Sequence, residues 1–233
     1  MFRFKTATKK TAATICASGI AIYHALWFKN GLEKRFPLKN VVAVDGMPEA
    51  ELRRKIEYLS ELSDRNNIEI VVASGRWCQY DRYQDQIVVG SMLKENLGCI
   101  EFSVQHELGH RHYWRYHMVP QITMNGTMAY LVFRSYKSPD IRIYRSLIAL
   151  ATVFHFLRRF DEFKADEYAC ERTSLRGLQD FQSLLLRIID DHDNRSLWYR
   201  WTDVHPHPAR RAAMIDQHIK NFRNNTVDAI NPR

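Results

Sequence analysis

The chain has 233 residues, 45% hydrophobic and 26% charged, which is ordinary for a globular protein and long enough for one well-buried domain plus an appendage. Its net charge of +8 admits nucleic acid, an anionic membrane surface or plain solubility. There is no zinc-finger spacing, RNA-binding signature or long Lys/Arg run, so no nucleic acid is expected as a partner.

The four cysteines, Cys16, Cys78, Cys99 and Cys170, form no C-x-x-C pair. That argues against a disulfide framework and for separate buried thiols. The first ten residues are basic and free of acid, and residues 11–28 carry no formal charge. Eighteen residues make a helix of roughly 27 Å, enough to span a bilayer, with Trp27 at an interfacial position. The segment reads as a single-pass N-terminal membrane anchor. A cleaved secretory signal (a secreted or periplasmic protein) and an organellar import sequence are the alternatives. Lys29, Lys34, Arg35 and Lys39 make the far flank basic too, so orientation stays open.

Residues 48–64 read as an amphipathic helix, with Pro48 at its start and Leu52, Ile56, Leu59 and Leu62 in one stripe. Ile68–Ala73 and Gln86–Gly90 read as strands, joined by a polar and aromatic connection over 74–85. The exposed edge of such a sheet is a place where an extended chain can be held by strand addition. A short helical turn at 91–97 precedes a main helix of about 99–116, with Gly98 between them. The main helix has Ile100, Val104 and Leu108 on one face and Phe102, Ser103, His106 and His110 on another, so it should be central and buried. Residues 146–157 are apolar but only twelve long, which fits a buried or membrane-dipping helix better than a span. His155 within them reads as a core histidine. Residues 174–190 form another amphipathic helix, 208–222 a last helix, and the chain from Arg223 a polar, frayed tail.

Within the main helix lies His106-Glu107-Leu108-Gly109-His110. Histidines four apart present two imidazoles from one helix face, as two ligands of one Zn²⁺ require. Glu107 is offset so that it can move a proton between water and a leaving amine. Cys99 is about 10 Å of helix rise from His106, too far to join them. His112 and His117 fall off the ligand face. A second segment, Glu162-Phe163-Lys164-Ala165-Asp166-Glu167-Tyr168-Ala169, puts Glu162 and Asp166 on one face. Glu162 would complete a His, His, Glu set, and Asp166 would accept the free N–H of a ligand histidine. Ala165 and Ala169 are small and let the two helices approach. Finally, His205-Pro206-His207-Pro208 makes a rigid loop, from which His205 and Arg211 could reach the site to hold an oxyanion or the substrate.

The series H-E-x-x-H, E-x-x-A-D-x-x-A and H-P followed by Arg six residues after the His resembles the HtpX-type and CAAX-prenyl-endopeptidase-type family of membrane-associated zinc metalloproteases. The resemblance covers roughly residues 45–220. It implies an α+β, zincin-like (gluzincin) fold, mostly helical with a small sheet, plus one N-terminal apolar helix. It implies one Zn²⁺ per chain on His106, His110 and Glu162, with Glu107 as catalytic base, Asp166 orienting a ligand histidine, and His205 and Arg211 beside the reacting carbonyl. The expected organisation is an anchor or targeting segment over 1–35, a metallopeptidase domain over 36–222 and a tail over 223–233. The expected activity is cleavage of a polypeptide substrate in protein quality control or processing at a membrane. The alternative is a catalytically inactive, membrane-anchored binding module. Two departures stand out. Arg76-Trp77-Cys78-Gln79-Tyr80 replaces the family's Asn-Ala-Phe/Tyr-like stretch, and only residues 11–28 qualify as a span where integral members have several.

Overall fold

The structure, a computed structural model, describes residues 35–74, 78–137, 141–196 and 205–230. The expected anchor over 11–28 lies outside them, and so does most of the 74–77 junction between the strands. The described chain is mostly helical with one small mixed sheet. It divides into two units, Lys34–Trp114 with Arg159–Arg233, and a second that includes Arg115–Arg158.

The first unit begins with strand β1 (Arg35–Pro37) and a short 3-10 turn, then helix α1 (Glu49–Asn66). The α1 stripe buries Leu52, Leu59 and Leu62, and the helix stops at Asn67, which adopts a left-handed conformation that asparagine tolerates. Lys55 is buried too. Its ammonium donates to the Leu93 carbonyl at 2.7 Å and pairs with Glu51 at 2.6 Å, so the charge keeps partners after leaving water. Strands β2 (Glu69–Ala73), β3 (Cys78–Asp81) and β4 (Gln86–Val89) follow. The sheet order is β1-β2-β4-β3; β1–β2 and β3–β4 are antiparallel and β2–β4 parallel. β3 is therefore an edge strand. The connection expected over 74–85 thus contains a strand, and β1 was not expected either.

Helix α2 runs Leu97–Lys137, beyond the expected 99–116, and Gly98 lies inside it rather than before it. The glycine is there for proximity: a Cβ at Gly98 would come within 2.9 Å of the Gly177 Cα. Helix α3 runs Ile141–Arg172, α4 Leu175–Arg187, α5 Ile189–Asp193 and α6 Pro208–Ile230. The helix expected to end at 222 thus continues to Ile230, and the tail is shorter. As expected, α2 is buried on both faces through its first three turns. Ile100, Phe102, Val104 and Leu108 join a core with Ile87, Val89, Phe181, Leu185 and Ile215, and Phe102 stacks on Phe181 at 4.0 Å between centroids. Cys78, Cys99 and Cys170 are free thiols.

In the second unit the apolar run 146–157 is not a buried helix: Ile148 is 69% and Phe156 63% exposed. Among the described residues, no helix is long and apolar enough to cross a membrane.

Candidate metal centre

A close helix approach builds the site. Where α2 passes α3, Gly109 faces Ala165, and a Cβ at Gly109 would lie 2.8 Å from the Ala165 Cα. That contact brings the helix bearing His106 and His110 within a ligand's reach of the helix bearing Glu162. His106 Nε2 lies 3.1 Å from His110 Nε2 and 3.2 Å from Glu162 Oε2, and His110 Nε2 lies 3.5 Å from Glu162 Oε1. Four tetrahedral ligands at about 2.0–2.1 Å from an ion stand about 3.4 Å apart. The three observed separations are close to that edge, with His106 facing one Glu162 oxygen and His110 the other.

The hydrogen bonds agree. Asp166 is fully buried, and Arg211 grips it with two bonds, Nε to Oδ2 at 2.7 Å and Nη2 to Oδ1 at 2.6 Å. So held, Asp166 is a carboxylate and only accepts, which makes His106 Nδ1, 2.8 Å from its Oδ1, the donor. Once Nε2 gives up its proton to an incoming cation, the ring has its lone pair there, facing His110 and Glu162. Glu162 Oε2 is buried and accepts no hydrogen bond among the described residues. A cation would satisfy that lone pair and both imidazoles together.

Electrostatics point the same way. Burial opposes charge on His106, but Asp166 and Glu162 outweigh it and hold its pKa up to about 10. Burial likewise opposes the Glu162 carboxylate, yet the neighbouring imidazoles of His106, His110 and His205 hold it well below the usual range. Burial also works against Asp166; Arg211 and His106 pull it down to about 2. The site favours positive charge between the two imidazoles and the Glu162 carboxylate.

Glu107 lies beside that point and is tied to the sheet: its Oε2 accepts the Tyr80 backbone N–H at 2.7 Å. Tyr80 sits on β3, so the edge strand directs a backbone donor at Glu107. Sequence reading missed this contact because it missed β3. The signal available was the hairpin-like spacing of Cys-Gln-Tyr-Asp and Gln-Ile-Val-Val about a polar turn. His205 Nε2 lies 3.5 Å from Glu162 Oε2 on a side chain about half exposed, so it borders the site. Arg211 does not stand where the sequence placed it. Its guanidinium is committed to Asp166 and largely buried, so it acts on the site through Asp166 and His106. His112 packs against Tyr113 and Tyr168, away from the ligands.

A second group, His192, Asp193 and His207, also brings three ligand-type atoms within 4.8 Å, as His106, Glu107 and His110 do. By proximity alone either could hold a metal ion. Their hydrogen bonds differ. The Ala209 backbone N–H donates to His207 Nδ1 at 3.2 Å, which leaves the proton of a neutral imidazole on Nε2, 2.7 Å from Asp193 Oδ1. The His207 nitrogen that faces the other ligand-type atoms of its group is then a donor, whereas at His106 the donor faces Asp166 and the other nitrogen faces that group. In the first group, loss of one proton from His106 leaves a lone pair facing the other ligand-type atoms, as an ion requires. No family model matches the chain, and no curated protein matches it significantly.

Proposed function

We propose that the chain is a zinc-dependent endopeptidase with a zincin-like (gluzincin) catalytic domain, related to the membrane-associated family whose motifs it resembles. The observation that carries this reading is the meeting of His106, His110 and Glu162 at tetrahedral spacing beside Glu107 and an edge strand. His106, His110 and Glu162 would hold one Zn²⁺, which when bound polarises a scissile carbonyl and acidifies a water.

The rest is done by the chain's own groups. Asp166 keeps His106 in its tautomer and orientation, and Arg211 keeps Asp166 ionised and in place. Glu107 takes a proton from the attacking water and returns it to the leaving amine. The Tyr80 N–H holds one Glu107 oxygen, which leaves the other for that transfer. His205, half exposed and 3.5 Å from Glu162 Oε2, would donate to the oxyanion that develops on the carbonyl. A substrate polypeptide laid extended along β3 would run past Glu107. The cellular role, protein quality control or processing at a membrane, follows from the family resemblance and from the apolar segment 11–28, a weaker warrant than the site.

The test is zinc stoichiometry and casein cleavage by the purified full chain, with and without chelator, for wild type and Glu107→Gln. One zinc per chain is expected, with cleavage lost to chelator. Glu107→Gln should keep its zinc and lose at least about 100-fold in kcat. Cleavage that survives Glu107→Gln refutes the mechanism; zinc-loaded, inactive wild type points to a binding module.

A further inference from the structure

We propose that Asp193 and His207 form a positioning clamp that holds two of the site's helpers, His205 and Arg211, at once. The inference rests on the zinc endopeptidase reading and adds residues that its motifs do not contain. His207 is the residue before α6. Its Nδ1 accepts the Ala209 N–H at 3.2 Å, and its carbonyl accepts from Arg210 and Arg211, so it caps the helix through both side chain and backbone. The other side of its ring is bonded to Asp193, at the end of α5, at 2.7 Å. Asp193 also has His192 Nδ1 at 3.7 Å, and the two imidazoles lie edge to face at 4.5 Å. The imidazole of His207 therefore spans the α6 N-terminus and the α5 C-terminus, fixing one against the other.

What hangs on α6 makes this functional. Two residues before His207 is His205, 3.5 Å from Glu162; four residues after it is Arg211, bonded twice to Asp166. Proline on both sides, Pro206 and Pro208, limits the backbone adjustments available between them. A rotation of the α6 first turn would thus shift His205 from the reacting carbonyl and slacken the Arg211–Asp166–His106 series together. Losing a partner that orients a metal ligand typically lowers affinity or activity about 10–100-fold.

The experiment compares Asp193→Ala, Asp193→Asn and His207→Asn with wild type in the full chain. It measures kcat, KM, zinc stoichiometry, zinc affinity by chelator competition and thermal unfolding. Asp193→Ala should lower kcat and zinc affinity each by about tenfold, with KM and one zinc per chain unchanged. Asp193→Asn still accepts from His207 Nε2 and should recover most of both. His207→Asn can still cap α6 but cannot reach Asp193, so it should melt like wild type and behave like Asp193→Ala. Unchanged kcat and affinity in Asp193→Ala, or wild-type behaviour of His207→Asn, overturns the clamp. A fall from two zinc ions per chain to one in Asp193→Ala also overturns it, because the pair would then be ligands. If zinc-loaded wild type cleaves nothing, the protease reading fails by itself and the clamp is decided by zinc affinity.

Discussion

Substituting Gly109 by alanine sets two known effects against each other. In a helix interior the change is worth about 1 kcal/mol in favour of alanine. Here the added Cβ would lie 2.8 Å from the Ala165 Cα and 3.0 Å from the Ala165 carbonyl oxygen. Carbon atoms rest about 3.5–4.0 Å apart, so α2 and α3 must separate by up to about 1 Å. Overpacking of this kind costs about 1–3 kcal/mol, which cancels or exceeds the propensity gain. The larger consequence falls on Glu162, one turn from Ala165. Ligand constellations tolerate about 0.5 Å of displacement, and about 1 Å can cost 100-fold. We therefore expect Gly109→Ala to bind zinc about 10–100-fold more weakly, with metal-free stability within about 2 kcal/mol of wild type. Chelator competition reads the first, and urea unfolding in excess chelator the second. Ala165→Gly should not rescue it, because the two nearest atoms are backbone. Wild-type zinc affinity with stability raised by about 1 kcal/mol would show that the close helix approach does not set the site.

Arg211→Met removes the partner of a fully buried carboxylate; urea unfolding of the metal-free chain should show a loss of about 3–5 kcal/mol, and a loss below about 1 kcal/mol contradicts the buried pair. Ser174 caps α4 by accepting the Gly177 N–H at 3.1 Å and donates to Glu101 at 2.7 Å. Ser174→Ala should cost about 1–2 kcal/mol by the same measurement. Asp81 gives a pH signature. Burial opposes its charge, but Arg35 and the backbone N–H groups of Tyr83 and Gln84 lower its pKa on balance. A lowered folded pKa contributes stability above the unfolded value, about 3.9, that disappears as pH falls through the folded one. Urea midpoints should therefore drop more between pH 5 and 3, roughly one unit either side of that value, in wild type than in Asp81→Asn; parallel curves would remove Asp81 from the account.

The amphipathic helices were legible because their stripes obey a helical period: Leu52, Leu59 and Leu62 of α1 are all buried. The juxtaposition at the candidate site was legible because metal chemistry suggests its spacing; His106, His110 and Glu162 come together across more than fifty residues. β3 was not, since all four of its residues are half-buried and no alternation marks its faces. β1 is only three residues long and its identity comes from pairing with β2. Gly98 read as a breaker because sequence carries no sign of the partner helix whose approach requires it. The run 146–157 shows the converse, for apolar residues at an exposed helix read like a core segment. Arg211 was singled out by its motif, but its commitment to Asp166 was not legible, because a motif carries no direction.

The tie between Tyr80 and Glu107 gives the site a memory of the sheet. One bond couples the proposed proton carrier to the strand that would measure out the substrate, so the two cannot drift independently. A chain laid against β3 would be indexed in steps of the backbone, and the residue pair presented to Glu107 would be set by strand register rather than by any side-chain pocket. Broad tolerance of sequence, with little tolerance of folded structure, is the selectivity such a ruler produces.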